Sequence, residues 1–280
     1  MPWSGLSVSA VRSIFRCPHC AGPLWAVSGG VACELGHRFD RAVEGYLNLL
    51  PAGRHKGRPG GDSAEMVRAR RAVFDAGHYR PVMVAVADAC AGAEAVLDAG
   101  CGEGSYLESI IAAERCGIDV SKPAVRLAAK RSSAGAFAVA SCYRLPLDDA
   151  RFDAVVSVFA PRPFGEFSRV LRSNGVIVTA TPAPEHLCGL RDYLYRDARP
   201  HATPSQVVDE CPDAPVDVER VSYELSLGPD DARQLLQMTP YWWSATPEQR
   251  AEVGALVTTV DVFVSTYRRL GSRAPAPGRG

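Results

Sequence analysis

Two clusters of residues have the types and the spacing to do chemistry. The first is Cys17-Pro18-His19-Cys20, followed after twelve residues by Cys33-Glu34-Leu35-Gly36-His37. A Cys-x2-Cys pair and a Cys-x3-His pair each present two ligand atoms from one tight turn. Together they close a tetrahedral Cys3His site of the kind that holds zinc. Gly22 and Gly36 are expected to supply the backbone freedom of the two turns, while His19 falls between the ligands and is expected to face solvent. No position is left for water, so the ion is read as structural and not catalytic. A redox Cys-x2-Cys would need a strand–turn–helix around it, whereas Ser28-Gly29-Gly30 reads as a hairpin turn. A module of about 35 residues has little core of its own, so metal binding should supply on the order of 10 kcal/mol of its folding energy.

The second cluster is Val96-Leu97-Asp98-Ala99-Gly100-Cys101-Gly102-Glu103-Gly104. Val96 and Leu97 read as the end of a buried strand and Asp98 as its tip. Gly100, Gly102 and Gly104 read as a turn that lets backbone amides approach a ligand, and Ser105 is expected to cap the next helix. Dinucleotide sites use nearly the same turn. Here, however, the acid stands just before the first glycine, and Asp-x-Gly-x-Gly-x-Gly resembles the first motif of S-adenosylmethionine-dependent methyltransferases. That resemblance implies that the carboxylate and the glycine backbone hold the methionine end of the cofactor. The bland reading is a strand-to-helix turn with no ligand. Asp119, fifteen residues beyond Gly104, is placed to take both ribose hydroxyls of an adenosine or to cap the helix that starts at Ser121-Lys122-Pro123. One residue could serve both ends. Ala140-Ser141, at the tip of a third apolar run, would lie beside the adenine.

These residues need a sheet to position them. Short apolar runs at 95–99, 116–120, 136–140, 152–158 and 175–181 alternate with helical stretches near 105–113, 123–131 and 164–172. The alternation predicts an α/β, Rossmann-like fold with crossover helices and with ligands at the carboxyl ends of the strands. Residues 66–94 read as helical, broken at 75–81, with Asp62-Ser63 as the start and Glu65 in a capping box from Asp62. Further on, 217–227 and 257–267 read as strands and 230–238 as a helix. The fourth run leads into Ala160-Pro161-Arg162-Pro163, which lacks the amide or carboxylate usual in enzymes that methylate exocyclic amines. An endocyclic nitrogen or another acceptor is therefore expected in place of an exocyclic amine. Thr179–Leu187 is expected to loop over the cofactor end. The aromatic run Tyr241-Trp242-Trp243 is either core packing or a platform for bases. The expected domains are a zinc-binding, RNA-recognising module (1–50), a basic linker and helix (51–80), a methyltransferase domain (81–270) and a disordered tail (271–280).

With 280 residues, 47% hydrophobic and 22% charged, the chain is long enough for one large domain plus a small module. Thirty-one Lys and Arg balance thirty-one Asp and Glu, so any nucleic-acid surface must be a local patch. Between Arg54 and Arg80, seven basic residues face three acids. That strip is read either as a solvated linker or as a phosphate-contacting surface between two domains. Nine cysteines, six of them scattered through apolar segments, look like reduced thiols of a cytoplasmic protein. Neither a membrane-spanning run nor a signal peptide is apparent.

Three features then occur together and in order: the Cys17/Cys20/Cys33/His37 module, the stretch Gly61-Asp62-Ser63-Ala64-Glu65-Met66 through Asp75-Ala76-Gly77-His78-Tyr79, and Leu97-Asp98-Ala99-Gly100-Cys101-Gly102-Glu103-Gly104. Asp119-Val120-Ser121-Lys122, Arg144-Leu145-Pro146, Thr179-Ala180-Thr181-Pro182 and Leu236-Gln237-Met238-Thr239-Pro240 follow downstream. Over residues 15–268 the whole resembles the RlmA family of 23S rRNA guanine-N1 methyltransferases, and in particular its tylosin-resistance branch, which modifies guanosine 748 rather than 745. The resemblance implies a structural zinc on the four ligands named above. It also implies cofactor contacts from Tyr79, Gly102, Glu103 and His186, beside those read for Asp98, Gly100, Gly104 and Asp119. The implied target is an rRNA hairpin in the peptide exit tunnel, with resistance to macrolides as the consequence. A homodimer is plausible because a small domain offers a hairpin little surface. Glu166 and Glu185 are conceivable bases for the N1 proton, each weighed against a plain surface acid. Competing readings are a small-molecule methyltransferase, which would not need the zinc module, and an RNA-binding protein without catalysis, against which the intact glycine motif speaks.

Overall fold

The computed structural model describes residues 8–51, 62–195 and 214–268; the basic residues Arg54 to Arg58 and the tail at 271–280 lie outside them. Within the described residues, β1 (Val8–Arg16), β2 (Pro23–Val27), β3 (Gly30–Ala32) and β4 (Arg38–Asp40) form an antiparallel meander. The larger sheet contains β5 (Leu47–Asn48), β6 (Ala95–Ala99), β7 (Glu114–Asp119), β8 (Ala136–Val139), β9 (Phe152–Val158), β10 (Leu171–Pro182), β11 (Asp217–Leu227) and β12 (Leu256–Arg268). Its order is β11-β12-β10-β9-β6-β7-β8-β5. From β5 to β10 the neighbours pair in parallel, while β12 is antiparallel to both β10 and β11. Helices α1 (Ala64–Asp75), α2 (Arg80–Ala89), α3 (Ser105–Ser109), α4 (Lys122–Arg131), α5 (Phe164–Val170), α6 (Cys188–Leu194), α7 (Pro229–Gln237), α8 (Tyr241–Ser244) and α9 (Pro247–Glu252) connect and cover the strands.

The parallel strands read as continuous apolar runs because both faces of the sheet are buried. Val96, Ala154, Val156 and Val178 belong to the core that also holds residues of α2, α4 and α7. Their neighbours Leu97, Val155 and Ile177 point the other way, into a core shared with Phe164 and Phe167 of α5. Phe15, Cys17, Leu24, Val31 and Cys33 of the small sheet are part of that second core. The two sheets are also stitched by the backbone. The Arg16 amide donates to the Pro146 carbonyl at 2.8 Å, Arg12 pairs with Asp148 at 2.6 Å, and β5 adds to the edge of β8 through Leu47 and Asn48.

Local chemistry explains most element ends, with some departures from expectation. The α4 start has Ser121 as its cap, Pro123 in the first turn and Lys130 and Arg131 in the last, as helix polarity favours. The cap of α1 is Ser63, whose hydroxyl accepts from the Met66 amide, while Asp62 instead pairs with Arg70. Ser105 is not the cap of α3. Gly104 fills that position at φ +93°, and Ser105 is the first helical residue. This helix ends at Ser109 rather than near 113, because Ile110 is already extended. Strand β10 starts at Leu171, directly after α5, so the expected end of that helix at 172 is absorbed into the sheet. No helix among the described residues is long and apolar enough to cross a membrane.

Helix α6 lies so close to β12 that a Cβ on Gly189 would sit 2.0 Å from the Val257 carbonyl oxygen. Because backbone cannot swing aside as a side chain can, Gly189→Ala is expected to destabilise the protein by about 2 kcal/mol or more. A urea unfolding midpoint unchanged by this substitution would contradict the packing.

Candidate functional site

The four ligands named from the sequence converge. The Sγ atoms of Cys17, Cys20 and Cys33 and a ring nitrogen of His37 all lie within 4.8 Å of one another. Cys20 and Cys33 sulfurs are 3.6 Å apart, and His37 Nδ1 is 3.6 Å from Cys17 and 3.2 Å from Cys33. Zinc–sulfur bonds of about 2.3 Å in a tetrahedron put sulfurs about 3.8 Å apart, so the set fits zinc in size and donor type. Gly36 takes φ +82° in the second turn, but in the first the left-handed residue is Ala21 at φ +57°, not Gly22. Gly22 contributes its amide instead, and that hydrogen bond holds the Cys20 thiol down at about 7, near the thiolate a metal needs. His19 is exposed, as expected, and its ring stacks on Phe39 with centroids 5.9 Å apart.

The remaining candidates gather at the carboxyl ends of the strands. Gly100, Gly102 and Gly104 all have positive φ. At Gly100 a Cβ would lie 2.5 Å from the Ala160 Cβ, and at Gly104 one would lie 3.0 Å from Ala128 of α4, so the turn fits only glycine. Asp119 braces this turn: its carboxylate accepts from the Gly102 amide at 3.0 Å and from the Ser121 amide at 2.7 Å. Each oxygen keeps a further lone pair for a ligand hydroxyl. Glu103 is buried, and its carboxylate is taken by the Ser105 amide at 3.3 Å and Arg131 at 2.8 Å.

Asp98 stands apart from these two acids. It is 1% exposed, its Oδ1 has no hydrogen-bond partner, and burial, aided by Asp119 and Glu103, pushes its carboxyl up to about 8. A buried carboxylate with an open oxygen suits a ligand that brings a cation or a donor. Tyr79, at the start of α2, and His186, on the loop after β10, are both buried, with Tyr79 Oη 3.5 Å from His186 Nε2. The Asp261 amide donates to His186 Nδ1 at 3.2 Å. The neutral ring therefore carries its proton on Nε2, facing Tyr79.

Sequence reasoning missed Arg70 and Phe159. Arg70 of α1 ends 3.6 Å from where a Gly102 Cβ would be, and donates to the Met238 carbonyl at 3.2 Å. Phe159 follows β9 and stacks on His186. Other expectations change. Glu166 accepts from Arg169 and the Leu145 amide, and these partners hold its carboxyl below the usual range against the opposing effect of burial, so it is a structural acid rather than a base. Glu185 is exposed. Along α1 the basic strip is largely neutralised, since Arg68, Arg70 and Arg71 pair with Glu65, Asp62 and Asp75. The aromatic run divides: Tyr241 and Trp242 pack half-buried on the core, Trp242 under Arg250, while Trp243 is 64% exposed.

A Rossmann-like sheet with this glycine turn, joined to a Cys3His ribbon, defines an S-adenosylmethionine-dependent methyltransferase with a structural zinc. Residues 15–58 match the family model described as "RlmA, N-terminal", and residues 97–179 match "Methyltransferase domain". Over 251 residues the chain is 37% identical to the 23S rRNA (guanine(748)-N(1))-methyltransferase of Streptomyces fradiae, covering 84% of this chain and 88% of that one. It is 33% identical to YxjB of Bacillus subtilis, covering 93% and 98%, and 35% identical to a Micromonospora griseorubida protein, covering 90% and 96%; both are named for the guanine-N1 reaction on 23S rRNA. The chain belongs to the RlmA family of methyltransferases.

Because the ribbon's apolar residues share a core with the sheet, Cys33→Ser should lose the bound zinc and lower the melting temperature of the whole chain. Elemental analysis with calorimetry would detect either result; a zinc-free variant melting like the wild type would contradict it. A second expectation concerns pH. An acid raised when folded binds more protons folded than unfolded, so the stability of the cofactor-free chain should fall as pH rises from about 4 to about 8. The lowered carboxyls Asp75, Asp153, Asp261 and Glu166 oppose this fall only at the foot of the window, where their unfolded forms finish losing protons. Asp98→Asn should flatten the slope and abolish cofactor binding, as measured by urea titrations across pH and by calorimetry.

Proposed function

We propose that the chain methylates N1 of guanosine 748 in 23S rRNA and thereby confers resistance to macrolides of the tylosin type. The observation that carries this reading is the 37% identity to the S. fradiae enzyme, whose name specifies that position, across nearly the whole of both chains. Asp98, the glycine turn from Gly100 to Gly104 and Arg70 would hold the amino-acid end of S-adenosylmethionine. Asp119 would take the ribose hydroxyls, and Ala140-Ser141 would lie beside the adenine. Tyr79 and His186 would add cofactor contacts, and the buried carboxylate of Glu103 acts through Arg131 to keep the start of α3 in place.

The cofactor, when bound, supplies an electrophilic methyl on sulfonium. The residues named above would hold that methyl facing guanine N1, whose proton would leave to solvent on transfer. The chain's own contribution is mainly to hold donor and acceptor in attack geometry. N1 lies on the Watson–Crick edge, so the base must be unpaired or extruded before it can react. The zinc ribbon and the basic residues from Arg54 to Arg58 would grip the hairpin by charge and shape. Modification of the tunnel wall would lower the affinity of a macrolide bound there.

Primer extension on 23S rRNA from a sensitive host tests the position, because a methyl on N1 blocks pairing and stops reverse transcriptase. Expression of the chain should add one stop, one nucleotide before guanosine 748, and raise the tylosin concentration needed to inhibit growth. A stop at guanosine 745 would assign the same reaction to the neighbouring position. No stop, with cofactor binding intact, would overturn the rRNA reading in favour of a small-molecule acceptor.

A further inference from the structure

Phe159 has a backbone conformation that its neighbours fix. It follows the last residue of β9 with φ +50°, a left-handed backbone that a bulky side chain rarely adopts. Three contacts hold it there. Its amide donates to the Ala180 carbonyl at 3.0 Å, which continues the β9–β10 ladder by one residue. The next residue, Ala160, fills the space beside Gly100 where a Cβ would be. The Ser157 hydroxyl donates to the Pro161 carbonyl at 3.2 Å and closes the corner.

The ring is thereby held half-exposed over two buried rings. It stacks on His186 with centroids 5.4 Å apart and planes 24° from parallel, and it meets Tyr79 edge-on at 6.3 Å. Tyr79 and His186 are 1% and 6% exposed, whereas Phe159 is 43% exposed. A flat apolar surface thus stands open at the rim of the crevice, backed by two buried rings.

Its place in the sheet says which flat ligand it meets. Asp119 and Ala140-Ser141 follow β7 and β8, on one side of the central strand β6, whereas Phe159 follows β9 on the other. The adenine that Asp119 and Ser141 would locate is therefore on the far side of the glycine turn. The planar group left for Phe159 is the base that receives the methyl. Aromatic rings commonly hold an extruded base by stacking, which tolerates any base and leaves recognition to hydrogen bonds at its edge.

We infer that Phe159 is the stacking platform for the acceptor guanine; this rests on the reading of the chain as an RNA methyltransferase. The test uses the zinc-loaded full chain and a transcribed 23S hairpin, with methyl transfer followed as a function of RNA concentration and cofactor affinity measured separately. Phe159→Leu should lower kcat/KM for RNA by about 10- to 100-fold, the range of one lost base–aromatic stack, and leave the cofactor Kd within about twofold. Phe159→Trp should stay within a few-fold of wild type. Phe159→Gly, which relieves the left-handed strain but loses the ring, should match the Leu variant in activity. With an active wild type, an unchanged kcat/KM in the Leu variant overturns the stacking role alone. So does a cofactor Kd weakened as much as kcat/KM, since Phe159 would then be a wall of the cofactor site. A wild-type chain that methylates no RNA removes the underlying reading and this one with it.

Discussion

The carboxylate of Asp119, shared between the amides of Gly102 and Ser121, is the interaction on which the rest of the site depends. It joins the tip of β7 to the glycine turn after β6 and to the cap of α4. Neither amide has a helical partner, and the start of α4 adds the positive end of its dipole beside the acid. Burial raises the Asp119 carboxyl even so, and the two hydrogen bonds are what favour its charged form. Three acids thus crowd one turn, and each is compensated differently. Asp119 has backbone amides and Glu103 has Arg131, but Asp98 Oδ1 has no protein partner. That leaves one buried, incompletely satisfied carboxylate at the crevice, where a cationic ligand would stabilise it.

The second constraint is the shared core. The ribbon is too small to bury its own apolar residues, and it places Phe15, Leu24 and Val31 against the same sheet face that holds Leu97 and Val155. Metal, ribbon and catalytic sheet are therefore mechanically one object along this face. A rigid seating of that kind suits a device that must present one base of a folded hairpin to a fixed methyl donor. It also explains why β5, only two residues long, can extend the sheet at the edge of β8: the ribbon delivers it there already held.

How much of this was legible in the sequence depends on how local the cause is. The strand runs at 95–99 and 152–158 were readable because parallel strands buried on both faces are unbroken apolar segments. The zinc ligands were readable because two tight turns impose their spacing. Ends set by a choice between adjacent residues were less so: Gly104 rather than Ser105 begins α3, Ser63 rather than Asp62 caps α1, and Ala21 rather than Gly22 turns the first knuckle. Least legible were features made by contacts distant in sequence. Nothing near Arg70 says that it reaches the glycine turn, and nothing near Phe159 says that Gly100 and Ala180 will set its backbone. His186 lacked a local signal too, since its tautomer is fixed by the amide of Asp261, seventy-five residues away.

The site built on the glycine turn is expected to transfer a methyl group to N1 of guanine in RNA. Nucleoside mass spectrometry tests it most directly, on unmodified 23S rRNA incubated with the zinc-loaded chain and S-adenosylmethionine carrying an isotopically labelled methyl. The labelled nucleoside should be 1-methylguanosine alone. Label in an exocyclic-amine product such as N2-methylguanosine, in another base, or in no nucleoside while the cofactor still binds, would contradict it.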